Sequence, residues 1–286
     1  MDLRSRSLAA FAMFGLLISL LPISPVRATT VVASPGDLIR GTSFSALYYM
    51  GEDGFRYVFP NEKTYGTWYT DAETGEMDFS TVKMLSDADL AMIQMGGNVT
   101  YHPGSRMVKI NSDPKTYMVA HGGTLRWVSS EAIAIALYGS AWNTKIDDVA
   151  DGFFTNYTIG TAITDLAVEA MGSNLSSAEF GATSSITDDK ELTAYSAIAI
   201  EDMLFVDAAQ GTGSLTTIHA GETVRWTNAD TASHTATAED NSWGTGTLKT
   251  GQSFVRRFNT PGTYSYYCSY HPEMTGTIVV EEALEM

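Results

Sequence analysis

Short runs of apolar residues, separated by polar turns, dominate the last third of the chain. Runs such as Thr223–Asn228 and Gly276–Val280 contain five or six residues and are bounded by Gly, Pro, Asn or Asp. This pattern is typical of β-strands that are joined by tight turns. About eight such runs fill residues 191–282, so we predict an all-β domain there, a Greek-key sandwich of two sheets.

A different pattern occurs twice between residues 31 and 163. Arg56-Tyr-Val and Arg126-Trp-Val are offset by 70 residues, and each follows an apolar run and a glycine-bearing turn. An apolar run, a turn and a second run indicate a β-hairpin. A candidate helix follows each hairpin, most clearly Ser130–Tyr138, which ends before Gly139. We therefore predict an α+β domain with two internal repeats.

The aromatic residues of these repeats have two interpretations. Tyr57 and Trp127 belong either to the core of a small domain or to exposed hairpins, which would loosely resemble repeats that bind cell-wall glycans. The block that begins at Arg56 is also similar to an uncharacterised module of bacterial surface proteins. We assign three methionines, Met84, Met92 and Met95, to a core face rather than to a soft-metal site.

Two segments read as lying outside the folded domains. Residues 164–190 are rich in Ser, Thr, Gly and Asp without periodicity, which indicates a flexible linker. Residues 1–28 combine two arginines, an apolar run over Leu8–Leu21 and the small-residue cleavage pattern Val-Arg-Ala28, as in a signal peptide. We expect cleavage after Ala28, with an uncleaved anchor as the alternative, no later membrane span, and a periplasmic or cell-surface location.

The charge of the chain restricts its partners. A net charge of −16 and a pI near 4.5 argue against binding to nucleic acid or to an anionic membrane. Such a surface would instead attract a basic redox partner, or simply keep an exported protein in solution.

The candidate chemistry lies near the C-terminus. Cys268, the single cysteine, begins a C-x2-H-x2-M sequence that continues to His271 and Met274, and His234 lies 34 residues before the cysteine. One thiolate, two imidazoles and a weakly bound thioether are the ligands of a blue-copper electron-transfer centre. Zinc is the competing metal, since it also binds Cys and His, but the thioether favours copper.

The surrounding residues resemble the cupredoxins, and among them the plastocyanin-like proteins. The resemblance is carried by Ala220-Gly-Glu-Thr-Val-Arg-Trp-Thr-Asn and by Pro261-Gly-Thr-Tyr-Ser-Tyr-Tyr-Cys268, and the short ligand loop is similar to that of amicyanin-like members. It implies one copper ion, held by His234, Cys268, His271 and Met274 and cycling between Cu(I) and Cu(II). It also implies a redox partner, such as a cytochrome or another copper protein.

Two polar residues lie next to candidate ligands. Thr235 and Ser269 either hydrogen-bond between the two ligand-bearing segments or are ordinary strand and turn residues. Tyr264 resembles the tyrosine corner of Greek-key proteins.

The histidine count separates a carrier from an enzyme. The chain has five histidines and no His-x-His pair, fewer than the additional copper centres of reductases and oxidases require. We therefore expect an exported electron carrier with one mononuclear copper site. Two alternatives stay open: a copper storage or delivery protein, and a surface or cell-wall interaction protein that keeps the cupredoxin domain as a scaffold.

Overall fold

The structure is a computed structural model that describes residues 33–71, 73–164, 185–211 and 215–284. The predicted signal peptide lies outside these ranges, as do residues 165–184 of the expected linker. Val31–Met286 form one compact unit. No helix in the described ranges is both long enough and apolar enough to cross a membrane.

The two repeats predicted from the sequence are present as two sheets of five strands. The first repeat contains the strands and helices β1 (Leu38–Gly41), β2 (Leu47–Met50), β3 (Arg56–Val58), α1 (Glu62–Tyr69), β4 (Lys83–Leu85), α2 (Asp87–Met92) and β5 (Met95–Asn98). The second contains β6 (Met107–Ile110), β7 (Asp113–Ala120), β8 (Thr124–Trp127), α3 (Glu131–Tyr138), β9 (Ile146–Asp148), α4 (Asp151–Phe154) and β10 (Thr158–Ile159).

The sheets have the same topology. Their strand orders are β4-β1-β2-β3-β5 and, read from the corresponding edge, β9-β6-β7-β8-β10. In both, three antiparallel strands form the centre, and a parallel strand is added at each edge. This agreement confirms the internal duplication.

Local sequence explains where the main helices begin and end. The Asn61 side chain accepts a hydrogen bond from the Thr64 backbone at 2.9 Å and caps α1, and the Ser130 hydroxyl caps α3 in the same way. Gly139 ends α3 at a φ of 78°, a backbone conformation that glycine adopts without strain.

The side chains whose placement the sequence left open divide between core and surface. Tyr57 is buried, with 4% of its surface exposed, whereas Trp127 is 37% exposed. The assignment of the three methionines to a core face was wrong, because Met84, Met92 and Met95 are 45%, 38% and 47% exposed.

The C-terminal domain is the predicted sandwich. Its strands are β11 (Ser196–Glu201), β12 (Leu204–Asp207), β13 (Leu215–His219), β14 (Thr223–Asn228), β15 (Thr237–Ala238), β16 (Ser253–Arg257), β17 (Gly262–Tyr267) and β18 (Thr275–Glu281). They form one sheet in the order β12-β11-β14-β16 and a second in the order β13-β18-β17-β15. Trp226 and Tyr266 are fully buried between the sheets.

The described end of the expected linker is folded. Helix α5 (Ile186–Asp189) is capped by the Ser185 hydroxyl, and Ile186 is buried in the core of the first repeat. The description of residues 164–190 as a flexible linker therefore does not hold for its last residues, where the apolar Ile186 supplies an anchor.

The first repeat and the sandwich are in direct contact. Asp53, which is 1% exposed, accepts hydrogen bonds from the Tyr57 hydroxyl and from the Arg257 guanidinium. The Gln94 side chain donates to the Val255 carbonyl at 3.0 Å and accepts from the Val255 backbone N–H at 2.6 Å. These bonds occupy backbone groups of β16, the edge strand of its sheet.

Candidate metal centre

The loop after β17 brings three of the predicted ligands together. Cys268 directly follows the strand, and its backbone N–H donates to the Met274 carbonyl at 3.0 Å. Two further backbone bonds, from His271 N–H to the Cys268 carbonyl and from Met274 N–H to the His271 carbonyl, close the loop. The predicted spacing thus corresponds to a compact, internally bonded turn.

Three donor atoms converge at this loop. Cys268 Sγ lies 3.7 Å from His234 Nδ1 and 3.6 Å from His271 Nδ1, and the two nitrogens are 3.2 Å apart. A tetrahedral ion with metal–nitrogen bonds of about 2.0 Å and a metal–sulfur bond of about 2.3 Å requires a sulfur–nitrogen separation of roughly 3.5 Å and a nitrogen–nitrogen separation of roughly 3.3 Å. The three donors therefore fit a single metal ion.

Met274 belongs to the same buried cluster as Cys268. It is 2% exposed, Cys268 and His234 are fully buried, and His271 is partly exposed. Within the described ranges, the group of Cys, His and acidic side chains whose donor atoms converge is His234, Cys268 and His271. The remaining histidines, His102, His121 and His219, are not part of that group.

Asp230 holds His234 from the side opposite the thiol, and sequence reasoning did not identify it. Its Oδ2 lies 3.2 Å from His234 Nε2, which leaves Nδ1 directed toward Cys268. Hydrogen bonds from the Thr231 and Ala232 backbone, and that from His234, lower the pKa of Asp230, so its carboxylate is ionised near neutral pH. The sequence feature that could have identified Asp230 is its position, four residues before the candidate ligand His234.

The turn that carries Asp230 is fixed by a buried amide. Asn228 is fully buried, and its side-chain nitrogen donates to the Ala232 carbonyl at 2.7 Å and to the Leu248 carbonyl at 2.8 Å. Leu248 in turn exchanges two backbone hydrogen bonds with His234. His234 is therefore positioned from its backbone as well as from its ring.

Hydrogen bonds between the two ligand-bearing segments are present. The Ser269 backbone N–H donates to Thr235 Oγ1 at 2.8 Å, and the Thr235 backbone N–H donates to Cys268 Sγ at 3.3 Å. Thr237 and Ser269 also join their hydroxyls at 3.0 Å. An N–H directed at the sulfur stabilises a thiolate, which is the metal-binding form of cysteine.

Tyr264 also occupies the predicted position. Its hydroxyl donates to the Thr260 carbonyl at 2.8 Å, four residues upstream. This bond to the preceding backbone confirms the expected tyrosine corner, which fixes the start of the strand that leads to Cys268.

A two-sheet sandwich with a Cys-His-Met loop at one end and a histidine from a second segment defines a cupredoxin-type metal protein. Comparison with known sequences gives the family. Residues 197–281 match the copper binding proteins of the plastocyanin/azurin family. The chain is 30% identical over 129 residues to amicyanin from Paracoccus versutus, covering 43% of this chain and 96% of the relative. The chain therefore belongs to the plastocyanin/azurin family of copper binding proteins.

Two further comparisons cover less of either chain. Amicyanin-alpha from Methylorubrum extorquens is 38% identical over 72 residues, which are 22% of this chain and 58% of the relative. The crystal structure of amicyanin from Paracoccus versutus aligns at 30% identity with a TM-score of 0.27, covering 30% of this chain and 81% of that structure.

The family membership bears on the predicted cofactor and class. Copper, the cofactor predicted from the motif, is that of the family. The matched part of the chain belongs to a family of copper-binding electron-transfer proteins. The family match begins at residue 197, beyond both repeats.

Proposed function

We propose that the chain is an exported type 1 copper protein that transfers one electron at a time to or from a partner protein. The observation that carries the proposal is the convergence of Cys268 Sγ and the Nδ1 atoms of His234 and His271 within 4.8 Å of one another. When bound, copper supplies the one-electron couple. His234, Cys268 and His271 would hold the ion, with Met274 as the weak fourth ligand.

The hydrogen bonds around the ligands support a carrier rather than a flexible binding site. Asp230 fixes one imidazole, Thr235 fixes the thiolate, and the backbone of the loop fixes His271 and Met274. Ligands that are held in place by their neighbours move little when the charge of the site changes. This favours rapid electron exchange over the uptake and release of a stored ion.

The exposed part of the site suggests where a partner docks. His271 is partly exposed, and its neighbours Tyr270 and Pro272 are exposed, whereas the other ligands are buried. We therefore place electron entry and exit at the His271 side, with a cytochrome or another copper protein as the partner.

Spectroscopy of the full mature chain tests the metal assignment. Addition of Cu(II) should produce an intense thiolate-to-copper band in the visible range and the EPR signal of a type 1 centre. Cys268→Ser should abolish the band, while His219→Ala, a change outside the convergent group, should leave it unchanged. A chain that binds zinc but forms no such band with Cu(II) contradicts the proposal.

Redox cycling separates the carrier from the storage alternative. We expect repeated oxidation and reduction without loss of metal, together with fast self-exchange. Ready loss of Cu(I) to a soluble chelator during cycling would identify a delivery protein instead.

Export is proposed from the N-terminal sequence. The arginines, the apolar run over Leu8–Leu21 and the pattern that ends at Ala28 support a cleaved signal peptide. The mass of the protein recovered from the cell exterior or the periplasm should correspond to a chain that starts at residue 29. A full-length mass there would instead indicate a retained anchor.

A further inference from the structure

A cavity in the first repeat lies in a part of the chain that the copper site does not use. It has a volume of ≈ 570 Å³ and opens between the start of β2, the end of β3 and the first turn of α1. Phe153 of the second repeat closes one side. Cavities of about 300–1,000 Å³ are typical of small-molecule sites.

Aromatic rings form the apolar wall of this cavity. Tyr65 and Phe79 stack with their ring centres 4.7 Å apart and their planes inclined by 8°, and Phe59 meets Tyr65 edge-on. Phe79 is 50% exposed and Phe153 37% exposed, although both are large and apolar. Exposed aromatic rings gathered around a concave surface indicate a binding site rather than scattered surface residues.

Arg40 supplies a cation without a counter-ion. Among the described residues, its guanidinium makes no hydrogen bond or ion pair, and its Nε is buried without a partner. Glu62 also lines the cavity but is not ion-paired with Arg40. In the part of the chain that the structure describes, seven buried side-chain nitrogen or oxygen atoms have no partner, and Arg40 is the only one of their residues that lines this cavity. Because the guanidinium has no counter-ion, its charge is left for an anion in the cavity to neutralise.

The second repeat shows the same position with its charge satisfied. The helix caps Asn61 and Ser130 are 69 residues apart, one fewer than the Arg-x-Val motifs, and Leu38 and Met107, which pack in the cores that contain these helices, have the same offset. Arg40 and Lys109, two residues further on, are therefore equivalent. Lys109 is in register with Asp148 on the neighbouring strand and lies 3.4 Å from its carboxylate. Arg40 is in register with Met84 instead.

The clefts of the two repeats also differ in volume and in the helix residues that line them. The corresponding cleft of the second repeat measures only ≈ 280 Å³ and is lined by Ser130, Glu131 and Ala134. The first repeat has Asn61, Glu62 and Tyr65 at those helix positions. Compared with the second repeat, the first has no counter-ion for its cation, an arginine in place of a lysine, and a larger cleft. The smaller cleft also contains aromatic side chains, Trp127 and Trp142, but Lys109 does not line it.

We propose that this cavity binds a small organic monocarboxylate with an aromatic body. The carboxylate pairs with the Arg40 guanidinium, whose planar fork matches two carboxylate oxygens. The ring lies against the exposed faces of Phe79 and Phe153. The site is independent of the copper centre.

Calorimetric titration of the full mature chain with 3-phenylpropanoate tests the chemistry. We expect saturable binding with a Kd on the order of 1 mM or below. The neutral 3-phenylpropanamide and the ring-free propanoate should each bind about 10-fold more weakly or worse. Equal binding of the carboxylate and the amide, or no saturable binding of the carboxylate, overturns the proposal.

Two matched variants locate the site. Arg40→Gln should weaken 3-phenylpropanoate binding by about 10-fold or more while leaving the amide nearly unaffected, and Lys109→Gln should change neither. Equal losses in the two variants refute the assignment. If Arg40→Gln does not fold, as judged by circular dichroism, Phe79→Ala replaces it and should weaken both aromatic ligands together.

A neutral oligosaccharide serves as the competing ligand. If it binds the wild type and Arg40→Gln equally and displaces 3-phenylpropanoate, the cleft recognises glycans through its rings alone, and the carboxylate proposal is wrong.

Discussion

At the scale of single residues, His234 shows how a ligand is held from two sides. Its ring lies between Cys268 Sγ at 3.7 Å and Asp230 Oδ2 at 3.2 Å, and it is fully buried. A carboxylate on the outer nitrogen fixes both the orientation and the tautomer of the ring, and it makes the inner nitrogen more basic. The metal affinity should therefore depend on a residue that does not touch the metal.

Asp230→Asn tests this dependence. We expect the copper affinity to fall by about 10- to 100-fold, because the outer hydrogen bond loses its charge. A competition titration against a copper chelator measures the change. Asp240→Asn is the matched control, since Asp240 lies in a nearby turn where it accepts from the Ser242 backbone and contacts none of the predicted ligands. Equal affinities for wild type and Asp230→Asn would remove Asp230 from the site.

The burial of a second residue, Asp189, predicts how the stability of the protein depends on pH. It is 1% exposed, and burial raises its pKa above 3.8, although a hydrogen bond from the Gly122 backbone and the charges of Lys190, His121 and His102 act in the opposite direction. The folded state therefore holds this proton more tightly than the unfolded chain does. Its contribution to stability is largest in acid and declines as the pH rises above about 4.

Asp189→Asn should remove the part of the stability loss at rising pH that Asp189 causes. Relative to wild type, the variant should gain stability with increasing pH, as measured by urea unfolding at several pH values. Asp71→Asn is a control of opposite sign, because hydrogen bonds from the Thr74 and Glu73 backbone lower the pKa of Asp71, and its contribution is lost as the pH falls. Parallel pH profiles for wild type and Asp189→Asn would show that burial does not perturb this acid.

At the scale of elements, a buried carboxylate contributes to the contact between the first repeat and β16. Asp53 is 1% exposed and is held by Arg257 and the Tyr57 hydroxyl, while Thr223 Oγ1 donates to its backbone carbonyl at 3.0 Å. Arg257→Leu leaves this charge without its cation. We expect a loss of about 1–3 kcal/mol, less than for a fully buried pair because the Arg257 side chain is 39% exposed.

Urea unfolding measures that loss, and two further variants control for it. Asp148→Asn breaks the exposed pair with Lys109 and should change stability by about 0.5 kcal/mol or less. The double variant Asp53→Asn/Arg257→Leu should recover part of the stability that Arg257→Leu loses, since it no longer buries an unpaired charge. If Arg257→Leu and Asp148→Asn are equally mild, the Asp53 contact is not a stabilising one.

The elements also show what the sequence can predict. The strands of the sandwich follow from short apolar runs, and the ligand loop follows from the spacing of Cys268, His271 and Met274, because both depend on neighbours along the chain. The Asp53–Arg257 contact joins residues 204 positions apart and has no local pattern. Met92 has the apolar character of a core residue, but it lies 3.5 Å from the Gln252 side chain at the surface. Only the packed structure distinguishes these cases.

At the scale of the whole molecule, the repeats and the sandwich should behave as one unit in unfolding. The Asp53 contact, the paired bonds between Gln94 and Val255, and the burial of Ile186 in the first repeat join the two parts. Unfolding the sandwich breaks the hydrogen bonds that β16 makes with the first repeat. Copper binding to the sandwich should therefore also stabilise the first repeat, which provides no ligand.

Copper loading should raise the unfolding free energy of the first repeat together with that of the sandwich. A free metal concentration of 100 times Kd adds about 2.7 kcal/mol when only the folded state binds. Hydrogen exchange of peptides from β1 and β2, with and without metal, measures the transfer to the first repeat. Cys268→Ser should abolish the effect in both domains, whereas Arg257→Leu combined with Gln94→Ala should keep it in the sandwich and reduce it in the first repeat. Protection that rises in the sandwich alone would mean that the two domains unfold independently, and that the bonds at β16 orient the domains without coupling their stability.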